Sequence, residues 1–194
     1  MLNLLQTADI NILDFDVELS EKNEQNKFMN KALKKSYAEK MLPLRTVSLM
    51  MKHNLYNKDW EKTAIISTPI LFESAGTKKL FEIAGPIIKA LEQGNVVFID
   101  EIDTRLHPML VRSLVMMFNS IGKNPKNAQL ICNTHDVLLL DEDIRRDQIY
   151  FTEKDEYGVS KLYSLTDFKG VRKESKLLKQ YLLGAFGATP KLKD

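Results

Sequence analysis

The chain has 194 residues, 44% hydrophobic and 28% charged, which suits a globular chain of one domain, or one domain with an appendage. With 28 Lys and Arg against 26 Asp and Glu, the net charge of +2 argues for neither a nucleic-acid patch nor a membrane-binding surface, and leaves room for local clusters, so that contact with nucleic acid is unassigned. A single cysteine, Cys132, rules out an intrachain disulfide, and no apolar run is long enough to span a bilayer.

The amino terminus lacks a basic region followed by an apolar core, so a cytoplasmic address and no membrane contact are expected. Ile10 to Val17 alternates and predicts an amphipathic strand. Glu18 to Lys40 is polar and charged, and reads as a solvated helix or mobile excursion in preference to a binding arm. Thr46 to His53 and Thr63 to Phe72 predict two more strands, in a hairpin-like insertion. Leu80, Phe81, Ile83, Ala84, Ile87, Ile88 and Leu91 recur at helical spacing, with Pro86 expected to kink or split the helix and Gly94 to close it. Val96 to Ile99 follows as a buried strand. Pro108 suits the first turn of the next helix, whose buried stripe is Leu110, Val111, Leu114, Val115, Phe118 and Ile121. Ala128 to Thr134 predicts a second buried strand, in which Cys132 would act as a small hydrophobe. Gln148 to Thr152 and Ser160 to Leu165 flank the turn Asp155–Gly158 as a hairpin, and Glu174 to Leu183 closes the chain as a helix ended by Gly184.

The most informative stretch is Val96-Val97-Phe98-Ile99-Asp100-Glu101, an apolar run ending in two carboxylates. Ligands of parallel α/β sheets sit at the carboxyl ends of the strands, and paired acids there suit divalent metal and phosphate chemistry. A strand, a helix and a strand in that order predict a parallel crossover, with Glu101 and His135 at one sheet edge. Ser74-Ala75-Gly76-Thr77 stands before the first long helix, where free N–H groups and the helix dipole favour an anion. Ser74 equally suits a plain N-cap, and the two acids could simply cap a turn.

Glu73-Ser74-Ala75-Gly76-Thr77, Asp100-Glu101, Thr104-Arg105-Leu106-His107-Pro108 and Asn133-Thr134-His135-Asp136 occur in that order. With Arg145-Arg146-Asp147-Gln148, they resemble the carboxyl-terminal half of an ABC-type ATPase head of the SMC-like kind. More narrowly, they resemble AAA/ABC-like ATP-binding proteins of bacterial abortive-infection and restriction-linked defence systems. The resemblance covers most of Glu73 to Pro190 and, more weakly, Leu4 to Glu18. It implies a partial P-loop NTPase of α/β class, with a mostly parallel sheet flanked by helices. Residues 1–72 would be a lobe junction and charged insertion, and residues 73–194 the carboxyl-terminal lobe.

The resemblance assigns ATP and Mg²⁺ as cofactors, without deciding between ATP and GTP. Asp100 would hold Mg²⁺ through water, Glu101 would polarise the attacking water, and His135 would contact the γ-phosphate. Ser74, Ala75, Gly76 and Thr77 would meet the nucleotide of a second copy in a head-to-head homodimer. Thr104 to His107 would form the loop that crosses the dimer interface, with His107 where many transporters carry Asp. An effector nuclease or other defence protein is implied as a partner. For Arg145 to Gln148 the choice lies between gripping a partner, anchoring the hairpin through Arg–carboxylate pairs, and a solvated turn.

A full head also carries an amino-terminal lobe with the phosphate loop and a Gln-bearing loop, and no Gly-x-x-x-x-Gly-Lys-Ser/Thr occurs in these residues. Truncation, loss of the front half, and an amino-terminal lobe supplied in trans are the competing explanations. This chain alone is therefore expected to bind ATP weakly and to hydrolyse it negligibly. Two rival readings remain: a non-catalytic dimerisation or effector-docking module, and a metal-dependent nuclease built on Asp100, Glu101 and Asp103.

Overall fold

Alternation sets the first sheet. The computed structural model describes residue 6 and residues 12–21, 45–171 and 176–190. Strand β1 (Asp14–Glu21) pairs antiparallel with β2 (Arg45–Tyr56), which pairs antiparallel with β3 (Lys62–Pro69). The first strand starts later than its pattern suggested and takes in Glu18 to Glu21; the rest of the predicted charged segment, to Lys40, lies outside the described residues. In this register Phe15 faces Met51, and Asp14 faces Lys52. Successive side chains of a strand point to opposite faces, so one face is apolar and the other charged. On the charged face Lys52 donates to Asp16 at 3.0 Å, and that hydrogen bond holds its ammonium above the usual lysine range. On the apolar face Met51 is fully buried, and Phe15 meets Phe81 edge-to-face at 5.2 Å.

Phe81 belongs to helix α1 (Ala75–Gln93), which runs through Pro86 without interruption. The expected split does not occur. Pro86 and Glu82, whose carbonyl loses its donor to the proline, are both exposed, so water can satisfy that carbonyl. Gly94 ends the helix at φ +74°, its N–H bonded to the Ala90 carbonyl at 2.8 Å.

The chain forms two compact units that divide between Asn95 and Val96. The expected boundary between residues 72 and 73 falls inside the first unit, just before α1. In the second unit, β4 (Val96–Ile99) pairs in parallel with β5 (Gln129–Cys132). Between them α2 (Pro108–Asn119) supplies the crossover and lies against β5. Pro108 takes the first helical position, and His107 caps it by accepting the Met109 N–H at Nδ1. Val111 and Leu114 are buried, but Ile121 lies past the end of α2 and is 91% exposed. The loop into β5 is organised by Asn124, whose buried carboxamide donates to the Phe118 and Ala128 carbonyls and accepts from the Ala128 N–H.

Two expectations for the sheet need correction. It is not mostly parallel: among the described residues only β4 and β5 pair in parallel, beside the antiparallel β1–β2–β3 sheet and an antiparallel hairpin. The reason lies in the connections. Five residues join β2 to β3, and a link that short permits only antiparallel pairing, whereas α2 permits the crossover between β4 and β5. Nor are β4 and β5 buried on both faces. Phe98 and Ile131 face each other across the ladder and are 74% and 50% exposed.

The hairpin β6 (Tyr150–Lys154) and β7 (Ser160–Ser164) turns through Asp155, which accepts the N–H groups of Tyr157 and Val159. It packs with helix α3 (Leu177–Leu182) around a core of Phe151, Leu165, Val171, Leu177 and Phe186. The start of the predicted helix, Glu174 and Ser175, lies outside the described residues. Two hydroxyls hold the segment after α3: Tyr163 donates to the Phe186 carbonyl, and Tyr181 donates to the Ala188 carbonyl, each at 2.8 Å. Gly187 passes beneath them at φ +66°, where a Cβ would lie 2.8 Å from the Tyr163 hydroxyl. Gly187→Ala is expected to cost about 2 kcal/mol through left-handed strain and displacement of that hydroxyl, and thermal denaturation measures it. Melting unchanged within error would contradict this account.

Candidate functional site

Two loops leave the carboxyl ends of β4 and β5, and hydrogen bonds bind them together. The first runs from Asp100 to His107, the second from Asn133 to Asp136. Asn133 joins them. Its Nδ2 donates to Asp100 Oδ1 at 2.6 Å, its Oδ1 accepts the Glu101 N–H, and its carbonyl accepts the Ile102 N–H at 3.2 Å. Farther along, the His135 N–H donates to Asp103 Oδ1 at 3.3 Å. Asp100, Glu101 and His135 are therefore gathered at one edge, on exposed positions, as the strand order predicted.

Glu101 adopts φ +47°, a left-handed conformation that a non-glycine residue takes only against a steric cost. Its Oε2 accepts the Thr104 hydroxyl at 3.0 Å, which sets the direction of the carboxylate. Beneath the loop Ile102 and Leu106 are buried and fix the turn to the core. Asp136 caps the following turn by accepting the Leu138 N–H.

A second element of the predicted site lies in the first unit. Ser74 is the N-cap of α1, and its Oγ accepts the Thr77 N–H at 3.0 Å. The Thr77 hydroxyl is buried and 2.8 Å from the same oxygen. If it donates there, the Ser74 hydroxyl proton stays available for a ligand, since a hydroxyl carries two lone pairs and one proton. Ala75 and Gly76 open the helix, so their N–H groups have no carbonyl one turn back. Glu73, just before, accepts the Thr68 hydroxyl at 3.2 Å and lies 2.8 Å from His53 Nε2. This pairing ties the helix start to β2 and β3.

Three roles that shape these elements were not assigned by sequence reasoning: the Asn133 carboxamide, the Thr104 hydroxyl, and the His53–Glu73 pair. An amide side chain at the mouth of a strand, two residues before a histidine, is the one signal that could have flagged Asn133. Nothing in the sequence links His53 to Glu73, because that contact depends on how β2 lies beside the segment after β3. Arg145 to Gln148 has its local account: Arg145 pairs with Asp147 through two hydrogen bonds of 3.0 and 2.6 Å, and Arg146 donates to the Phe168 carbonyl. The Arg145 guanidinium holds the Asp147 carboxyl below the usual carboxylate range. Arg146 braces the hairpin, while the Arg–carboxylate pair closes within the turn itself.

Cys132 ends β5, and burial pushes its thiol up, with the nearby Asp103 adding to the shift. A raised pKa keeps the thiol protonated to higher pH. Cys132 is expected to alkylate more slowly than a free thiol at pH 8, and to approach the free rate only on unfolding; equal rates in the folded chain would contradict this.

The donor chemistry fits magnesium. This hard cation takes one or two carboxylates together with phosphate oxygens and water, and Asp100 offers an exposed carboxylate with one oxygen fixed by Asn133. Among the described residues, no three His, Cys, Asp or Glu side chains converge to hold a metal ion by themselves. Among the described residues no helix is long and apolar enough to cross a membrane.

No curated protein and no solved structure matches the chain. Residues 9–141, more than half of the sequence, match the family described as "AAA domain, putative AbiEii toxin, Type IV TA system". The matched span holds the β1–β2–β3 sheet, the capped start of α1, and both loops at the ends of β4 and β5. With these features inside the match, the chain belongs to that AAA-domain family, of P-loop NTPase-like α/β fold and nucleotide-binding, ATPase-like function.

Proposed function

We propose that this chain is the carboxyl-terminal catalytic lobe of an ABC/SMC-like ATPase head that works as a head-to-head homodimer. The observation that carries the proposal is the gathering of Asp100, Glu101 and His135 by Asn133 and Asp103 at the carboxyl ends of two parallel strands. Magnesium, when bound, neutralises charge on the terminal phosphates. Asp100 is the residue that would hold it, through water. Glu101, steered by Thr104, orients the attacking water and takes its proton. His135 contacts the γ-phosphate and registers its departure. From the second copy, Ser74 offers its hydroxyl proton, Ala75 and Gly76 offer N–H groups, and Thr77 holds Ser74 in place. Phosphoryl transfer of this kind is catalysed chiefly by positioning and charge neutralisation, which these groups supply without a covalent step.

The phosphate loop comes from an amino-terminal lobe, carried by a longer form of this polypeptide or by another chain. In the cell the ATPase gates an effector, such as a nuclease, in defence against phage. The family's description as a toxin of a toxin–antitoxin system supports that setting. A rival reading, a non-catalytic docking module, draws on the bare face of Val96, Phe98 and Ile131.

One experiment separates the two. The chain is mixed with the phosphate-loop lobe of an intact family member, and phosphate release is measured for wild type and Glu101→Gln. Turnover that appears only in the mixture and disappears with Glu101→Gln supports the ATPase. Its absence in every mixture favours the module, and robust turnover by the chain alone overturns the need for a second lobe.

A further inference from the structure

The Asn133 carboxamide is used at both ends, and a carboxamide fits both demands. Asp100 in its ionised form can only accept a hydrogen bond, and the Glu101 N–H can only donate one. A single planar group with a donor on one side and an acceptor on the other joins two successive residues at the point where chain direction changes. The next carbonyl along, that of Asn133 itself, accepts from Ile102, so three consecutive residues of one loop are registered against one residue of the other.

Two consequences follow for the acids. Glu101 sits at φ +47°, and the bond from its N–H to Asn133 offsets part of the cost of that conformation. Asp100 has Oδ1 committed to the amide, which fixes the carboxylate plane and turns Oδ2 into the oxygen that can serve a hydrated cation. His135 lies two residues beyond Asn133 and is anchored through its own N–H to Asp103.

We propose that Asn133 is a positioning residue for metal–nucleotide binding: its carboxamide fixes the Asp100 carboxylate and the left-handed Glu101 backbone in the arrangement that receives a divalent cation with its phosphates. This rests on the ATPase reading above. Asn133→Ala removes both bonds. Asn133→Asp keeps an acceptor for Glu101 but sets a carboxylate against Asp100, where like charges repel. Residues that orient a metal-binding side chain commonly account for 10- to 100-fold in affinity, roughly the range expected here.

The test uses the chain mixed with the phosphate-loop lobe of an intact family member, in three forms, wild type, Asn133→Ala and Asn133→Asp, at millimolar nucleotide. Manganese–ATP binding is compared with binding of ATP in EDTA, and exchange of the Glu101 amide hydrogen is followed without nucleotide. The expected result is that Asn133→Ala weakens manganese–ATP binding about tenfold, leaves metal-free ATP binding unchanged, and speeds Glu101 exchange. Asn133→Asp is expected to restore slow exchange at Glu101 without restoring manganese–ATP affinity. That split would not arise if the residue only held the fold together. Manganese–ATP affinity within twofold of wild type in Asn133→Ala overturns the proposal, whatever the exchange shows. A wild-type chain that binds ATP equally with and without manganese overturns the ATPase reading and this proposal with it. The two failures differ, because the first leaves metal-dependent binding in the wild type intact. Should Asn133→Ala fail to fold, Asn133→Ser supplies the same comparison with a smaller polar side chain, and unaltered manganese–ATP binding there is equally fatal.

Discussion

Replacing Glu101 by Gln is expected to lower phosphate release by the complemented ATPase by about 10²- to 10⁴-fold while nucleotide stays bound. The size follows from what the substitution removes. Gln keeps the length of Glu, and its carbonyl oxygen can still accept the Thr104 hydroxyl, so the side chain keeps its direction. The amide cannot accept a proton from water at neutral pH, and proton removal is the one task Glu101 alone performs in the proposed mechanism. Asp100 is untouched, so metal and nucleotide remain. The dimer should therefore persist in its nucleotide-bound form, visible as a stable head-to-head complex by light scattering and as retained nucleotide after gel filtration. A variant that hydrolyses at more than a tenth of the wild-type rate would remove Glu101 from the catalytic role.

The second large effect concerns stability. Asn124→Ala is expected to destabilise the second unit by about 3 kcal/mol, because two buried backbone groups and one half-buried carbonyl lose their partner together. The Asn124 amide donates at 2.8 Å to Phe118 and 2.9 Å to Ala128, and its carbonyl accepts from Ala128 at 2.7 Å. Each orphaned group costs roughly 1 kcal/mol or more when water cannot reach it, and Asn124 is only 7% exposed. For a chain of this size that is a fall in melting temperature of roughly 10 °C. Ala128 leads directly into β5, so amide exchange at the β4–β5 ladder should accelerate in the same variant. A fall of less than 2 °C would show that the loop finds other partners.

How much could be read in advance differed from element to element, for physical reasons. Helix α1 was legible because its apolar residues recur at 3.6 spacing and Ser74 and Gly94 bracket it. The site edge was legible because an apolar run ending in Asp100-Glu101 and a second ending before His135 can meet only if the strands are parallel. The exposure of Phe98 and Ile131 was not legible, since hydrophobicity records what a strand can bury and not what lies beside it. Pro86 misled because the cost of an internal proline depends on whether the freed carbonyl faces water. Asn124 gave no local signal and Asn133 only its place two residues before His135, and each acts through partners fixed by the fold.

By itself the sequence determined most of the strands and helices, though not all their ends, and that two carboxylates and a histidine end neighbouring strands, because periodicity and chain order act over short range. Only the tertiary structure decided the left-handed turn at Glu101, the clamp by Asn133 and the fastening of Glu73 to His53. Those contacts join residues 20 to 33 positions apart, and a hydrogen bond over such a span exists only once both segments have been packed into place.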